Sequence, residues 1–365
     1  MLTPAQFEGL RRQIREIGSE HLLTDVHVHP FEVLVRGLTY RPHPEVPGVY
    51  SAGPGRYRTP EPLAAAAETP RPKGIDSLPE PWRSRALTLS LRRLYLHTGP
   101  RVFGDQMELS GIGRSVLLPV AAAGGGDEEQ VRLLAEIFGR DRRFVLGCCV
   151  PAGTADERIE ATVRAAVVGR RARIIKIHPD LSAIDVGSRP GRERIERILD
   201  AARGNRCPVI VHGGRSSAPA DGGCDCATMA KLTQVDWSIA RQPVVIAHAG
   251  AFGCALAEVR EQVFPALKPL LAKHPNLMLD LSGLDPEPMR FLLGKLDPDR
   301  LLFGSDSLYF SQWKSLAVFF RTLRDSPHHP IEAFIKIAAH NPQQIFKGGE
   351  HLDAESTQDQ VQPVC

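Results

Sequence analysis

The sequence predicts an α/β chain folded as a (β/α)8 barrel, the TIM barrel, with a long capping insertion after its first strand. Three observations carry that expectation. Short apolar runs alternate with helical patterns from about residue 114 onward, the runs number eight once the one at 22–29 is included, and five of the eight end in side chains able to bind a metal or move a proton. Alternating strands and amphipathic helices are the mark of repeated βα units around a parallel sheet, and eight such units close it.

In order, the expected strands are 22–29 (LLTDVHVH), 114–120 (RSVLLPV), 143–150 (RFVLGCCV), 172–178 (ARIIKIH), 207–212 (CPVIVH), 243–248 (PVVIAH), 276–281 (NLMLDL) and 300–306 (RLLFGSD). Between them lie helical stretches at 127–140, 191–204 and 255–274, whose apolar residues recur at three and four so that one face packs on the sheet. Pro265 is expected to bend or interrupt the last. The rhythm fails over 30–113, where Pro and Gly cluster ahead of one amphipathic candidate at 81–97. A connection of that length inside a compact domain implies a function, so it is read as an insertion capping the barrel mouth. One barrel domain is therefore expected over 1–347, with a polar, mobile tail at 348–365.

Composition narrows the class. The 365 residues are 42% apolar and 24% charged, ordinary values for a soluble globular enzyme. A formal net charge of only +3, with no block of Lys and Arg, lacks the electrostatic footprint of a nucleic-acid binder. The first 23 residues lack the apolar core of a signal peptide and no run is long enough to span a bilayer, so the expectation is a cytoplasmic protein with no membrane or nucleic-acid partner. A small-molecule substrate and a homodimer, the commonest soluble assembly, complete the expectation. Seven cysteines in a chain this long make no small-domain disulfide framework, and reduced thiols are the simpler reading. Cys224 and Cys226 lack the two-residue spacing of zinc or thioredoxin-like motifs. There is no GxSxG, P-loop, GxGxxG after a strand, or HExxH, which removes the common serine-hydrolase, NTPase, dinucleotide and zincin readings.

The chemistry is written at the strand ends: His27 and His29, Lys176 and His178, His212, His248, and Asp306. Active sites of closed parallel barrels lie at this C-terminal rim, where the loops from all strands converge. Asp25, His27 and His29 alternate along one strand and are expected to share a face, so that two imidazoles at i and i+2 reach one cation. A lone histidine at a strand end is more often structural. Five coincidences at the same end of successive strands point to a divalent metal, for which imidazole and carboxylate are a suitable mixed set.

The segments DVHVHP, IIKIHP, PVIVHGG, VVIAHAGA, NLMLDLSG, RLLFGSD and HNPQQIF resemble the amidohydrolase superfamily, most closely the branch of aminocarboxymuconate-semialdehyde decarboxylase-like metal-dependent hydrolases. The resemblance covers roughly 22–347 with motif order kept. It implies His27, His29, His212 and Asp306 as ligands of one divalent ion, zinc or manganese, with His248 either supporting the ligands from behind or serving as catalytic base, and Asp306 shuttling a proton to the leaving group. It leaves open a second metal bridged by a carboxylated Lys176, with His178 touching that metal or the substrate. Arg215, after the two glycines of HGGRSS, is a candidate clamp for a substrate carboxylate. Tyr309 and Ser307 are candidates to line the pocket, and Arg36, Arg41 and Trp82 to cover it. The activity implied is hydrolysis of a C–N or C–O acyl bond in a small polar or carboxylated molecule by metal-activated water, with non-oxidative decarboxylation (a lyase) as the alternative. A barrel that has lost catalysis and serves as a scaffold is a third reading, and the complete ligand set speaks against it.

Overall fold

A computed structural model of the chain describes residues 4–30, 79, 104, 107–108, 110–121, 127–215, 225–307 and 312–347. The eight strands are β1 (Leu23–Val28), β2 (Ile112–Leu117), β3 (Phe144–Cys149), β4 (Ile174–Ile177), β5 (Val209–Val211), β6 (Val244–Ile246), β7 (Leu277–Asp280) and β8 (Leu301–Leu302). They pair in sequence order, every pair parallel. The ring closes where the backbone N–H of Val26 donates to Phe303, that of Asp306 to His27 and that of His29 to Ser307, at 3.1, 2.9 and 2.7 Å. The fold is a TIM barrel. Most of the insertion expected over 30–113, its helix candidate at 81–97 and the tail at 348–365 lie outside the described residues.

The strands are short continuous apolar runs because both of their faces are covered, as in parallel sheets generally. Val26, Val116, Leu118, Ile174, Ile210, Val245, Met278 and Leu302 fill the interior, while Val209, Val211, Val244, Leu277 and Leu279 join the larger core under the helices. The helices supply the matching faces. In Arg189–Gly204 the buried residues Ile195, Ile198, Leu199 and Ala202 recur at three and four. Ser188 caps that helix by accepting from the Gly191 amide at 3.1 Å, which contributes about 1 kcal/mol. The N-terminal residues also form a helix, Pro4–Glu20, which buries Leu10, Ile14 and Ile17.

Pro265 interrupts its helix as expected, and one other expectation changes. A π turn, Val259–Val263, breaks the α pattern and leads into the helix Phe264–Lys273 with Pro265 in its first turn. The wider turn places a residue without an N–H where none is required. Reduced thiols hold for Cys148, Cys149, Cys207 and Cys254, whereas Cys226 is disulfide-bonded. Among the described residues no helix is long and apolar enough to cross a membrane.

Candidate metal centre

β1 delivers its histidines through an irregularity. Asp25 pairs with Ser115 and Val28 with Leu117, so three residues of β1 advance against two of β2. Such a bulge reverses the alternation of faces. Val26 therefore belongs to the barrel interior, and His27 and His29 follow it there. Asp25 does not share their face as expected. Its carboxylate accepts from the amides of His27 and Ser305, at 3.1 and 2.9 Å, and from the side chains of Ser305 and Gln312, at 2.5 and 3.0 Å. Gln312 opens the helix after β8 and also donates to Ser115 Oγ at 2.8 Å, so Asp25 ties β1, β2, β8 and that helix together beneath the site.

Hydrogen bonds fix which nitrogen each imidazole offers. His29 Nδ1 lies 2.8 Å from the Leu118 carbonyl and His248 Nδ1 lies 2.9 Å from the Ser282 carbonyl. A carbonyl only accepts, so both Nδ1 atoms carry the proton and both Nε2 atoms hold a lone pair. His27 Nδ1 faces Asp280 Oδ2 at 3.0 Å, which leaves its Nε2 as the second lone pair. The Nε2 atoms of His27 and His29 stand 3.0 Å apart, with Asp306 Oδ1 3.7 and 3.6 Å from them. Lys176 Nζ, on β4, donates to His27 Nε2 at 3.0 Å.

Asp280 and Ser282, which close β7, were not among the residues singled out from the sequence. The Asp280 Oδ1 accepts from the amides of His248 and Ser282, at 3.1 and 2.9 Å, and from the Ser282 hydroxyl. Ser282 Oγ lies 3.1 Å from His27 Nδ1 and 3.0 Å from His248 Nδ1. One Asp-x-Ser segment thus orients both imidazoles. Its signal was the carboxylate that ends the apolar run LMLD, one strand before Asp306.

Backbone conformation aims the remaining groups. His248, Ala249 and Asp306 adopt left-handed φ of 57°, 50° and 54°. Non-glycine residues reach this region at a cost, and such positions gather at functional sites. Gly304 is required by proximity: a Cβ there would stand 2.8 Å from the His27 Cβ and 3.1 Å from the Ser282 Cβ.

His27, His29 and Asp306 come together with ligand atoms within 4.8 Å of one another, as do His27, His248 and Asp280. His212 lies beside this centre: its ring centroid is 4.9 Å from that of His248, and it is stacked on His178 at 4.0 Å with planes 9° apart. Asp180, also not singled out from the sequence, completes a third group with His178 and His212. The half-exposed Arg215 guanidinium is paired with Glu258 at 2.9 Å. Ser307 serves the barrel closure, its carbonyl accepting from the His29 amide. Tyr309, Arg36, Arg41, Trp82 and Cys224 lie outside the described residues.

Burial dominates the electrostatics. It lowers the pKa values of His29, His178 and His212 well below the usual histidine range, with neighbouring imidazoles and Lys176 adding to the effect. Burial pushes His248 down to about 4, and Lys176 down to about 8 against the attraction of Asp280 and Asp306. Asp25 and Asp180 are raised by burial to about 6 each. Burial acts to raise Asp280 as well, but the His27 imidazole and the hydrogen bonds it accepts overcome that and hold it far below the usual carboxylate range. Burial thus favours the neutral ring at His29, His178, His212 and His248, while Asp280 is held as the anion.

An eight-stranded parallel barrel with imidazole and carboxylate groups gathered at the C-terminal ends of its strands defines a TIM-barrel enzyme of the metal-dependent class. The amidohydrolase family model matches residues 24–348, and the chain belongs to that family. No curated protein matches the sequence. Among solved structures, a TIM-barrel protein of Bordetella bronchiseptica is 15% identical, covering 89% of this chain and 98% of that one with a TM-score of 0.57. The 5-carboxyvanillate decarboxylase of Novosphingobium aromaticivorans, complexed with manganese and 4-hydroxy-3-methoxy-5-nitrobenzoic acid, is 14% identical over 90% and 96% with a TM-score of 0.55. The 4-oxalomesaconate hydratase of Rhodopseudomonas palustris is 15% identical over 92% and 99% with a TM-score of 0.50.

Proposed function

We propose that this amidohydrolase-family enzyme hydrolyses a C–N or C–O acyl bond in a small polar or carboxylated molecule, using one divalent ion, zinc or manganese. The observation that carries the reading is the pair of Nε2 atoms, of His27 and His29, 3.0 Å apart with Asp306 Oδ1 beside both. Each ring has its proton committed to an acceptor on the other nitrogen. Two lone pairs facing each other repel unless a cation takes both. Ligand nitrogens 2.0–2.1 Å from one ion stand about 3 Å apart, so the donor set fits such an ion.

His27, His29 and Asp306 would hold the ion, with His212 as the fourth ligand. When bound, it supplies a Lewis acid that polarises an acyl oxygen and lowers the pKa of water toward about 7. His248 keeps its proton on Nδ1, tied to the Ser282 carbonyl, so Nε2 is the atom that accepts a proton from the attacking water. Asp306 would then take that proton from His248 and pass it to the leaving group. Lys176, whose Nζ stands 3.0 Å from His27 Nε2, would act as a fixed buried cation beside the ion rather than a bridge between two ions. Arg215 would exchange Glu258 for a substrate carboxylate.

Non-oxidative decarboxylation is the second reading. The fold shared with a manganese-bound decarboxylase favours it, as does the buried Lys176 charge, suited to a carboxylate. In that reaction His248 delivers a proton to carbon, and Nε2 has to be protonated first.

The test is turnover by the zinc- or manganese-loaded protein of a panel of acyl amides, lactones and unsaturated or aromatic carboxylates. Acid release without carbon dioxide is the expected result. Stoichiometric carbon dioxide release would replace hydrolysis by the second reading, and no turnover of any member by metal-loaded protein would contradict both.

A further inference from the structure

Asp180 lies in the turn after β4 and is 4% exposed. Its Oδ1 accepts from the Cys226 amide at 2.9 Å. Its Oδ2 is buried and has no hydrogen-bond partner among the described residues. A buried carboxylate oxygen left unpaired opposes folding, and such an atom in a folded protein calls for an explanation.

His212 Nε2 faces that oxygen across 3.9 Å and lies 3.3 Å from the Arg215 carbonyl. Both neighbours are acceptors. Nε2 therefore carries the ring proton, and Nδ1 is the lone pair His212 has to offer. The parallel His178 ring holds the plane of His212. The same stacking argues against one ion shared by His178, Asp180 and His212, because each lone pair lies in its own ring plane and two nearly parallel stacked rings, centroids 4.0 Å apart, share no plane that could contain one ion.

We propose that Asp180 is the positioning residue of His212: its free Oδ2 takes the Nε2–H of that ring when Nδ1 engages the metal, setting the ring's tautomer and raising its basicity. This rests on the reading of His212 as a ligand. Carboxylates behind metal-bound imidazoles have this effect generally, and their loss weakens metal binding about 10–100-fold.

The substitution Asp180→Asn keeps an oxygen for the Cys226 amide and puts an NH2 group, which cannot accept, where Oδ2 was. The measurements are the melting temperature of the apoprotein and zinc affinity by chelator competition, for wild type and D180N. The expected result is an unchanged or higher apo melting temperature together with zinc binding about 10–100-fold weaker. Equal zinc affinity in the two proteins would overturn the proposal, and so would a lower apo melting temperature with affinity retained. Wild-type protein that binds no zinc would instead contradict the metal reading itself. Should D180N fail to fold, histidine 15N NMR of zinc-loaded wild type decides: one ring bound through Nδ1 with a protected Nε2 proton supports the proposal, and coordination through Nε2 alone contradicts it.

Discussion

Asp280 Oδ2 lies 3.0 Å from His27 Nδ1 with both side chains fully buried, and the other oxygen of the same carboxylate holds the His248 amide. Two segments of the centre, the His27 ring and the His248 backbone, thus depend on one anion. Replacing Asp280 by Ala removes the charge that His27 faces and strands two buried amides. The expected loss is about 3–5 kcal/mol of stability by urea unfolding, with metal affinity about 10–100-fold weaker by chelator competition. Asp280→Asn, which keeps one acceptor, should lose less stability than Asp280→Ala.

Base catalysis by His248 requires a free lone pair on Nε2. Burial lowers the pKa of this ring to about 4, so the unprotonated form is present above that value and is lost as pH falls through it. The acid limb of kcat/KM should therefore lie near pH 4 rather than near the usual histidine value of about 6.5. A pH–rate profile with its acid limb at the usual value would assign that limb, and the base, to another group.

Asp25 makes a statement about stability rather than rate. Its folded pKa is raised to about 6 from 3.8, so between those values the folded protein binds the proton that the unfolded chain has released. The stabilisation from protonating Asp25 is complete below the unfolded value and is lost as pH rises through the folded one. A pKa displaced that far corresponds to about 3 kcal/mol. Asp25→Asn cannot titrate, so the stability of the variant relative to wild type should rise by about that amount between pH 4 and pH 7 in urea unfolding. A constant difference across the range would contradict the assignment.

Gly304→Ala probes proximity. The added carbon would press on the Cβ atoms of His27 and Ser282, whose side chains meet at the contact between Ser282 Oγ and His27 Nδ1. Overpacking of this kind costs about 1–3 kcal/mol, and displacement of a positioned group should lower kcat about 10–100-fold. Unchanged kcat and melting temperature would show that the backbone after β8 can yield there.

Much of this architecture was legible in the chain, because parallel strands buried on both faces announce themselves as short apolar runs and their chemical residues fall at the ends. The eight strands occur within a few residues of their expected places. The bulge in β1 was not legible: DVHVH reads as simple alternation, and only pairing with β2 reveals that Asp25 points toward Gln312 while His27 turns inward. Nor could periodicity anticipate the π turn that accommodates Pro265. Asp280 and Asp180 escaped notice for a different reason. Each stands beside an imidazole far away in sequence, so its place in the centre appears only once β4, β5 and β7 are placed in one barrel. Tyr309 falls outside the described residues, and the structure adds nothing to its sequence reading.

The account turns on a cation between His27 and His29, and equilibrium dialysis of the apoprotein against zinc and manganese tests it most directly. Binding of about one equivalent per chain, lost when His27 and His29 are both replaced by Ala, is the predicted result. Failure of the wild-type protein to take up either ion, or uptake unaffected by the double replacement, would contradict it.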